Sequence, residues 1–227
     1  MALPALLPAA RPLSSVVEVD YVVPGCPPSA AVVGPALERL LAAERGRTLF
    51  HRDASLATTV KLRVIGREQD LEPINRRALA LAKAVAQETG ALLAGDICNT
   101  NVYDPADAAS HKAVRAMFEE QVRWAVDAGV DFVVGETFSW AQEALIALDV
   151  IKQAKQTAVI TLAMHQADVT RENWTVADAC RRLADAGADV VGLNCIRGPA
   201  TMLPLLREIR GAVKTPMAAL PVPYRTS

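Results

Sequence analysis

The 227-residue chain is 52% hydrophobic and 4% aromatic, and its 24 basic and 25 acidic side chains leave a net charge of -1. That length suits one good core better than two domains, and the balanced charge offers neither the basic field that a nucleic-acid backbone requires nor an acidic tail. Four scattered cysteines (Cys26, Cys98, Cys180, Cys195) argue against a disulfide framework and for a reducing compartment, the cytoplasm.

Residues 1–10 are apolar, but Pro4 and Pro8 interrupt them and no basic segment precedes them, so they read as a ragged terminus and not as a secretion signal. The longest uncharged stretch, residues 21–37, carries four prolines, and no membrane helix is expected from it. Residues 16–23 form a strong β-type run, PGCPPS (24–29) a rigid loop around Cys26, and residues 30–43 a helix. Residues 44–60 show no clear period and read as a connector between two regions, 1–43 and 61–227.

Residues 71–89 predict a helix closed by Gly90. One plan then repeats: a short apolar run rich in Val, Leu and Ala, followed by a helix-period segment. The runs start at Ala91, Val130, Thr157, Ala188 and Thr215. Their continuous apolarity, in place of alternation, predicts parallel strands covered on both faces. In the first intervening helix Val114, Met117, Phe118, Val122, Ala125 and Val126 make one stripe, Trp124 lies off it, and Gly129 ends it. Ser139 with Gln142 reads as a capping box, Thr175 with Asp178 as a weaker one, Thr201 as a cap for the last helix, and Gly187 as the end of the third. Strands alternating with helices give a parallel α/β architecture, either an open doubly wound sheet or an eightfold barrel. No G-x-G-x-x-G or Walker string follows any strand, which removes the commonest reason to prefer a nucleotide-binding open sheet.

Both architectures place reacting groups at the carboxyl ends of strands. Those ends hold Asp96, Cys98, Asn99 and Asn101; Glu136; Met164, His165 and Gln166; Asn194 and Cys195; and Tyr224. Glu136 reads equally as a carboxylate for an ammonium group or a base and as an exposed rim charge. Cys195 reads as a thiolate metal ligand or as an inert buried thiol, and Cys180, inside a helix, as a small core residue. The asparagines of CNTN bond a ligand or make turns. His51 and His111 have no ligand spacing to another His or Cys, and the three tryptophans read as packing.

Taken as a set, KLRVIGRE (61–68), GDICNTNVYDP (95–105), AGVDFVVGETFSWAQEA (128–144), ADAGADVVGLNC (184–195) and ALPVPYRT (219–226) resemble the homocysteine S-methyltransferase family, betaine-homocysteine methyltransferase-like, over residues 61–227. The resemblance implies a (β/α)8 TIM barrel that transfers a methyl group from a donor to the thiol of homocysteine, giving methionine. It also implies a zinc ion on three cysteine thiolates, which holds the substrate as a thiolate. By motif Cys195 matches one zinc ligand, Glu136 the glutamate that holds the homocysteine amino group, and Asn194, in the G-x-N-C string that ends in Cys195, is expected to bind substrate. The paired cysteines of the eighth strand and the Asp-Gly string of the first have no counterpart here. The fold expected is therefore an incomplete (β/α)8 barrel of five to six βα units with an extra βα unit ahead of it, retaining no zinc and inactive alone.

Residues 12–43, with VVEVDYVVPGCPPSAAVV at 16–33, resemble the last iron-sulfur motif of the small subunit of nickel-iron hydrogenases and the related subunit of NADH-quinone oxidoreductase. That resemblance makes Cys26 one ligand of a four-iron cluster whose other ligands this chain lacks, so no cluster is expected. Residues 16–23 are expected to cover a sheet edge in place of a barrel unit. Two other readings compete with methyl transfer: a non-catalytic fragment or fusion product that associates through open sheet edges, and an electron-transfer fragment around Cys26.

Overall fold

The computed structural model describes residues 21–22, 49–50, 66, 68–165 and 168–222. In chain order these give β1 (Tyr21–Val22), β2 (Leu49–Phe50), a 3-10 turn (Glu68–Asp70), α1 (Leu71–Thr89), β3 (Leu93–Cys98), α2 (Ala108–Ala128), β4 (Phe132–Phe138), α3 (Ala141–Gln153), β5 (Ala158–Leu162), α4 (Val176–Asp185), β6 (Val190–Asn194), α5 (Pro199–Ala212) and β7 (Met217–Leu220). Their strands make one parallel sheet in the order β1-β7-β6-β5-β4-β3-β2. β1 and β2 are its edges. Of residues 16–23, Tyr21–Val22 are described, and they lie along Ala218 and Ala219 of β7. Leu49 and Phe50 pair with Leu93 and Ala94, so the stretch read as a connector contributes an edge strand. Two residues are too short a run to show a period, which is why the sequence hid it. Cys26 and the rest of residues 1–43 lie outside the described residues.

The sheet's two faces bear out the incomplete barrel that the family resemblance implies, against the open sheet that periodicity alone also allowed. Successive strand residues point to opposite faces. On one face Leu93, Ile97, Val133, Ile160, Leu162, Val191, Leu193 and Met217 pack with the buried residues of all five helices. On the other, Ala94, Val134, Val159, Val190, Ala218 and Leu220 form a separate small cluster with no helix residue in it. A doubly wound sheet carries helices on both faces. Helices confined to one face, over a second face that is itself buried, make an incomplete (β/α)8 barrel. They also explain why the strands read as unbroken apolar runs.

The helices form where their sequence allows. Gly90 at φ 73 closes α1 by donating its N–H to Ala86 O, and Gly129 at φ 77 closes α2. Asp107 caps α2 by accepting from Ala109 N at 2.8 Å. Gly95 lets α2 approach β3, since a Cβ there would stand 2.7 Å from that of Ala125. Two details of the expected stripe change: Val126 is exposed, and Trp124 is buried because the apolar face of α2 is wider than one stripe. Phe118 of α2 meets Phe138 edge-on, centroids 6.0 Å apart, fixing the end of β4 with about 0.5–1.5 kcal/mol beyond simple burial.

Thr175 caps α4 through Asp178 N as expected. Ser139 does not cap α3. The helix starts one residue later, after Trp140, and the Glu172 carboxylate from the next loop accepts from Gln142 N at 2.8 Å instead. Thr201 lies inside α5, which begins at Pro199 after Gly198, because proline fits the first helical position. Among the described residues no helix is long and apolar enough to cross a membrane.

Candidate functional site

The residues singled out along the sequence meet on the helix-free face of the sheet. Counting alternate positions from Ala94, Val134, Val159 and Val190 brings Asp96, Glu136, Thr161 and Asn194 onto that face at its carboxyl end. A row of small apolar residues thus ends in a ring of polar ones.

Glu136 owes its setting to a bulge. β4 pairs regularly with β5 through Gly135 and Ile160, but the next pair is Phe138 with Leu162, so β4 carries one extra residue. Thr137 takes up the slack at φ 62, in the left-handed region that a β-branched residue rarely enters. Such bulges re-aim side chains next to active sites. Here the bulge falls on the two residues that bond Asn194 at the end of β6, and Glu136 is buried, at 8% exposure.

Asn194, at the end of β6, ties the bulge together. Its Oδ1 accepts from Thr137 N at 2.9 Å and from Thr161 Oγ1 at 3.0 Å. Its Nδ2 donates to Thr137 Oγ1 at 2.6 Å and to Glu136 Oε2 at 3.3 Å. The amide can face only one way, because the Thr137 N–H needs an acceptor and the carboxylate needs a donor. Both halves of the Asn194 side chain are therefore committed to protein groups. Its role in this geometry is to aim Glu136 and to hold Thr137 in its strained conformation.

Cys195 follows at φ 57 and Ile196 at φ 59, and Arg197 N reaches back to Cys195 O at 2.6 Å, closing a three-residue turn. A positive φ at the centre of such a turn is strained, by about 1–3 kcal/mol per residue. Bonds from Cys195 N to Leu220 O and from Val222 N to Arg197 O hold the turn against the end of β7. Cys195 is half-buried at the rim. Among the described residues no three His, Cys, Asp or Glu side chains come together, so the donor set there does not make a zinc site.

The remaining rim residues divide. Cys98 is buried with its thiol on Asn99 O at 3.5 Å, Asn99 donates weakly to Asn101 Oδ1 at 3.4 Å, and Asn101 sits at φ 59, which supports the turn reading of CNTN. Met164 is core. His165 is exposed; what burial it has, with the Arg171 charge, moves its pKa below the usual imidazole value. Cys180 is fully buried and burial pushes its thiol up to about 12, an inert group. His111 stacks on Tyr103, centroids 4.9 Å apart. Gln166, Tyr224, His51 and Cys26 lie outside the described residues.

One buried polar residue escaped the sequence reading. Glu143, in the first turn of α3, is 2% exposed and accepts from both Thr100 N (2.8 Å) and Thr100 Oγ1 (2.7 Å). Burial raises its carboxyl pKa, the two Thr100 bonds and the Arg171 charge oppose that rise, and Glu172 adds to it. Its signal in the sequence was its place in line with Ala147 and Val150, both buried, four and seven residues on.

The chain matches the homocysteine S-methyltransferase family over residues 54–224, a span that takes in part of the 44–60 connector. It is similar to S-methylmethionine–homocysteine S-methyltransferase BHMT2 of Pongo abelii, at 29% identity over 167 residues covering 70% of this chain and 44% of that protein. It is also similar to betaine–homocysteine S-methyltransferase 1 of Xenopus tropicalis, at 32% identity over 161 residues, 68% of this chain and 39% of that protein. The chain thus spans less than half the length of these relatives. Among solved structures, the metallated homocysteine methyltransferase MmuM of Escherichia coli superposes with a TM-score of 0.63 at 18% identity, covering 86% of this chain and 78% of that one, a likeness of fold. The match begins at residue 54, so the hydrogenase-like reading of residues 12–43 and Cys26 gains no support from it.

Proposed function

The chain belongs to the homocysteine S-methyltransferase family, and from that premise we propose that the polar end of its helix-free sheet face is the homocysteine side of a methyl-transfer site. Glu136 holds the substrate ammonium, Asn194 aims that carboxylate, and the turn at Cys195 faces the substrate sulfur. In the transfer the sulfur lone pair attacks the donor methyl carbon, the new S–C bond forms as the donor's bond to that carbon breaks, and methionine results once the thiol proton has left. The observation that carries this reading is the buried Glu136 carboxylate, set in the β4 bulge at the polar end of the helix-free face and aimed by the Asn194 amide at 3.3 Å. A buried carboxylate at the carboxyl end of the strands suits a substrate ammonium, because charge pairing and hydrogen bonding offset the cost of its burial.

Calorimetric titration of the protein with L-homocysteine tests the reading. Glu136→Gln keeps the shape and removes the charge, and it should weaken binding by about tenfold or more, the scale of one charge-assisted contact. Equal affinity in the two proteins would overturn the assignment.

Zinc is a separate matter. In the family it stabilises a thiolate, yet the described rim contributes two cysteines, Cys195 and a buried Cys98 whose thiol lies on Asn99 O, and no three ligating side chains come together among the described residues, too few to hold zinc tightly. We propose that this chain alone retains no zinc and forms methionine slowly or not at all. Metal content per chain and methionine formation from homocysteine with betaine or S-methylmethionine test this together. Stoichiometric zinc that survives dialysis against a chelator would sink it.

A further inference from the structure

We propose that Glu143 is a positioning residue of the substrate site, clamping the chain that leaves β3 to the helix that follows Glu136. The proposal rests on the reading of Glu136 as the ammonium-binding carboxylate, and it concerns a residue with no assigned part in that reading.

The argument begins with register. Cys98, the last residue of β3, pairs with Glu136. Beyond that pair the two chains diverge, one into the CNTN turn and the other through the bulge into α3. Glu143 and Thr100 rejoin them. Both Thr100 bonds end on the same carboxylate oxygen, at 2.8 and 2.7 Å, and Thr100 is itself fully buried. The hydroxyl passes the constraint on by accepting from Val102 N at 3.2 Å. The neighbouring Gln142 holds the next residue, its Oε1 accepting from the Tyr103 hydroxyl at 2.6 Å. Two residues of α3 thus hold Thr100, Val102 and Tyr103, in the loop that leaves β3 just past the Cys98–Glu136 pair.

A simple packing role would not use a carboxylate. Burying one is costly unless it is well bonded, and an alanine or leucine would fill the helix face without that cost. The groups around Glu143 are few: Thr100 and Tyr103 from the loop after β3, and Arg171 and Glu172 from the loop after β5. Arg171 acts through its charge alone, because its backbone N–H goes to Ser139 O and no short contact joins it to Glu143. The short bonds all run to Thr100. The turn they hold includes Asn101 at φ 59, a conformation that needs surrounding contacts to persist.

The test compares Glu143→Ala with Glu143→Gln, in which the amide oxygen still accepts both Thr100 bonds. Amide hydrogen exchange is followed over residues 98–104, alongside homocysteine titration. Glu143→Ala should speed exchange there by about tenfold while residues 158–162 and 190–194 keep their rates, and should weaken homocysteine by about tenfold. Glu143→Gln should restore both to within about threefold of the parent protein. A folded Glu143→Ala protein with unchanged exchange at 98–104 overturns the proposal, as does faster exchange spread evenly over the sheet. Should Glu143→Ala fail to fold, Thr100→Val replaces it, since it removes the hydroxyl bond and keeps the backbone one, and about threefold faster local exchange is then expected. A parent protein that does not bind homocysteine refutes the functional reading, and the exchange comparison still decides whether Glu143 orders the rim.

Discussion

The two ends of the sheet are built by different rules. At the amino end one device appears twice. The strings Ala128-Gly129-Val130-Asp131 and Ala186-Gly187-Ala188-Asp189 each leave a helix, turn at a glycine of positive φ, and reach an aspartate before the next strand. Asp131 exchanges two bonds with Leu93 at the start of β3, N to O at 2.8 Å and Oδ2 to N at 2.7 Å. Asp189 does the same with Ala158 at the start of β5, at 3.0 and 2.7 Å. At the carboxyl end nothing repeats. Among the described residues, Asn101, Thr137, Asn173, Cys195 and Ile196 all have positive φ without being glycine, against Lys155 at the other end. Repetition at one end and individual strain at the other separate what holds the sheet from what the sheet holds.

The sharpest way to break that contrast is Asn194→Asp. The new side chain keeps the oxygen that accepts from Thr137 and Thr161, but it sets a second carboxylate oxygen 3.3 Å from Glu136 where a donor stood. Two carboxylates so close do not both ionise near neutral pH. Homocysteine affinity should fall by about a hundredfold at pH 7, combining a lost charge contact with a misdirected Glu136. The shared proton gives the pair a raised pKa, so stability should be present at low pH and fall as pH rises through that value. Titration and denaturant melts at pH 5 and pH 8 check both effects, and binding within twofold of the parent would show that Asn194 does not aim Glu136.

The amino end predicts the reverse pattern. Asp131→Ala or Asp189→Ala leaves a strand's first N–H without its partner, at about 1–2 kcal/mol each. The melting midpoint in urea should drop accordingly. Homocysteine affinity, corrected for the folded fraction, should stay within about twofold, because both aspartates lie a full strand length from Glu136. A binding loss as large as that of a rim variant would mean that the two ends are not separable.

Much of this division was legible in the sequence. The apolar runs marked β3 to β7, and Gly90, Gly129 and Gly187 marked helix ends, because each signal is local. The carboxyl-end rule then placed Glu136, Asn194 and Cys195 at the rim. What stayed hidden depends on partners distant in sequence. A two-residue strand such as Leu49–Phe50 has no period to read. Glu172 takes the capping role expected of Ser139 from 30 residues away. Glu143 resembles any acidic residue in a first helical turn until Thr100, 43 residues earlier, is brought to it. Strand sequences buried on both sides do not record which face the helices cover, so periodicity alone left barrel and open sheet open, and it was the motif set at the strand ends that pointed to the barrel.

The smallest effect expected is a difference in sign. For Asp189, burial raises the carboxyl pKa, but the Ala158 N–H and the Lys152 ammonium outweigh it, so the folded pKa lies below the ordinary value. Its contribution to stability is present above the usual carboxylate range and lost as pH falls through the depressed value. For Glu143 burial wins, and the folded pKa lies above the ordinary value. Stability tied to that group is present below the usual range and lost as pH rises through the raised value. Glu143→Gln keeps the Thr100 bonds and cannot ionise, so it should flatten the loss on the alkaline side and gain stability at pH 8 by no more than about 1 kcal/mol. Asp189→Asn should flatten the loss on the acid side, with a smaller effect because that side chain is largely exposed. Urea melts of the two variants across pH 4 to 8 should therefore depart from the parent curve at opposite ends. Departure at the same end would mean that the rim carboxylate is stabilised by its bonds as the amino-end aspartate is, and that the contrast between the ends lies in backbone strain alone.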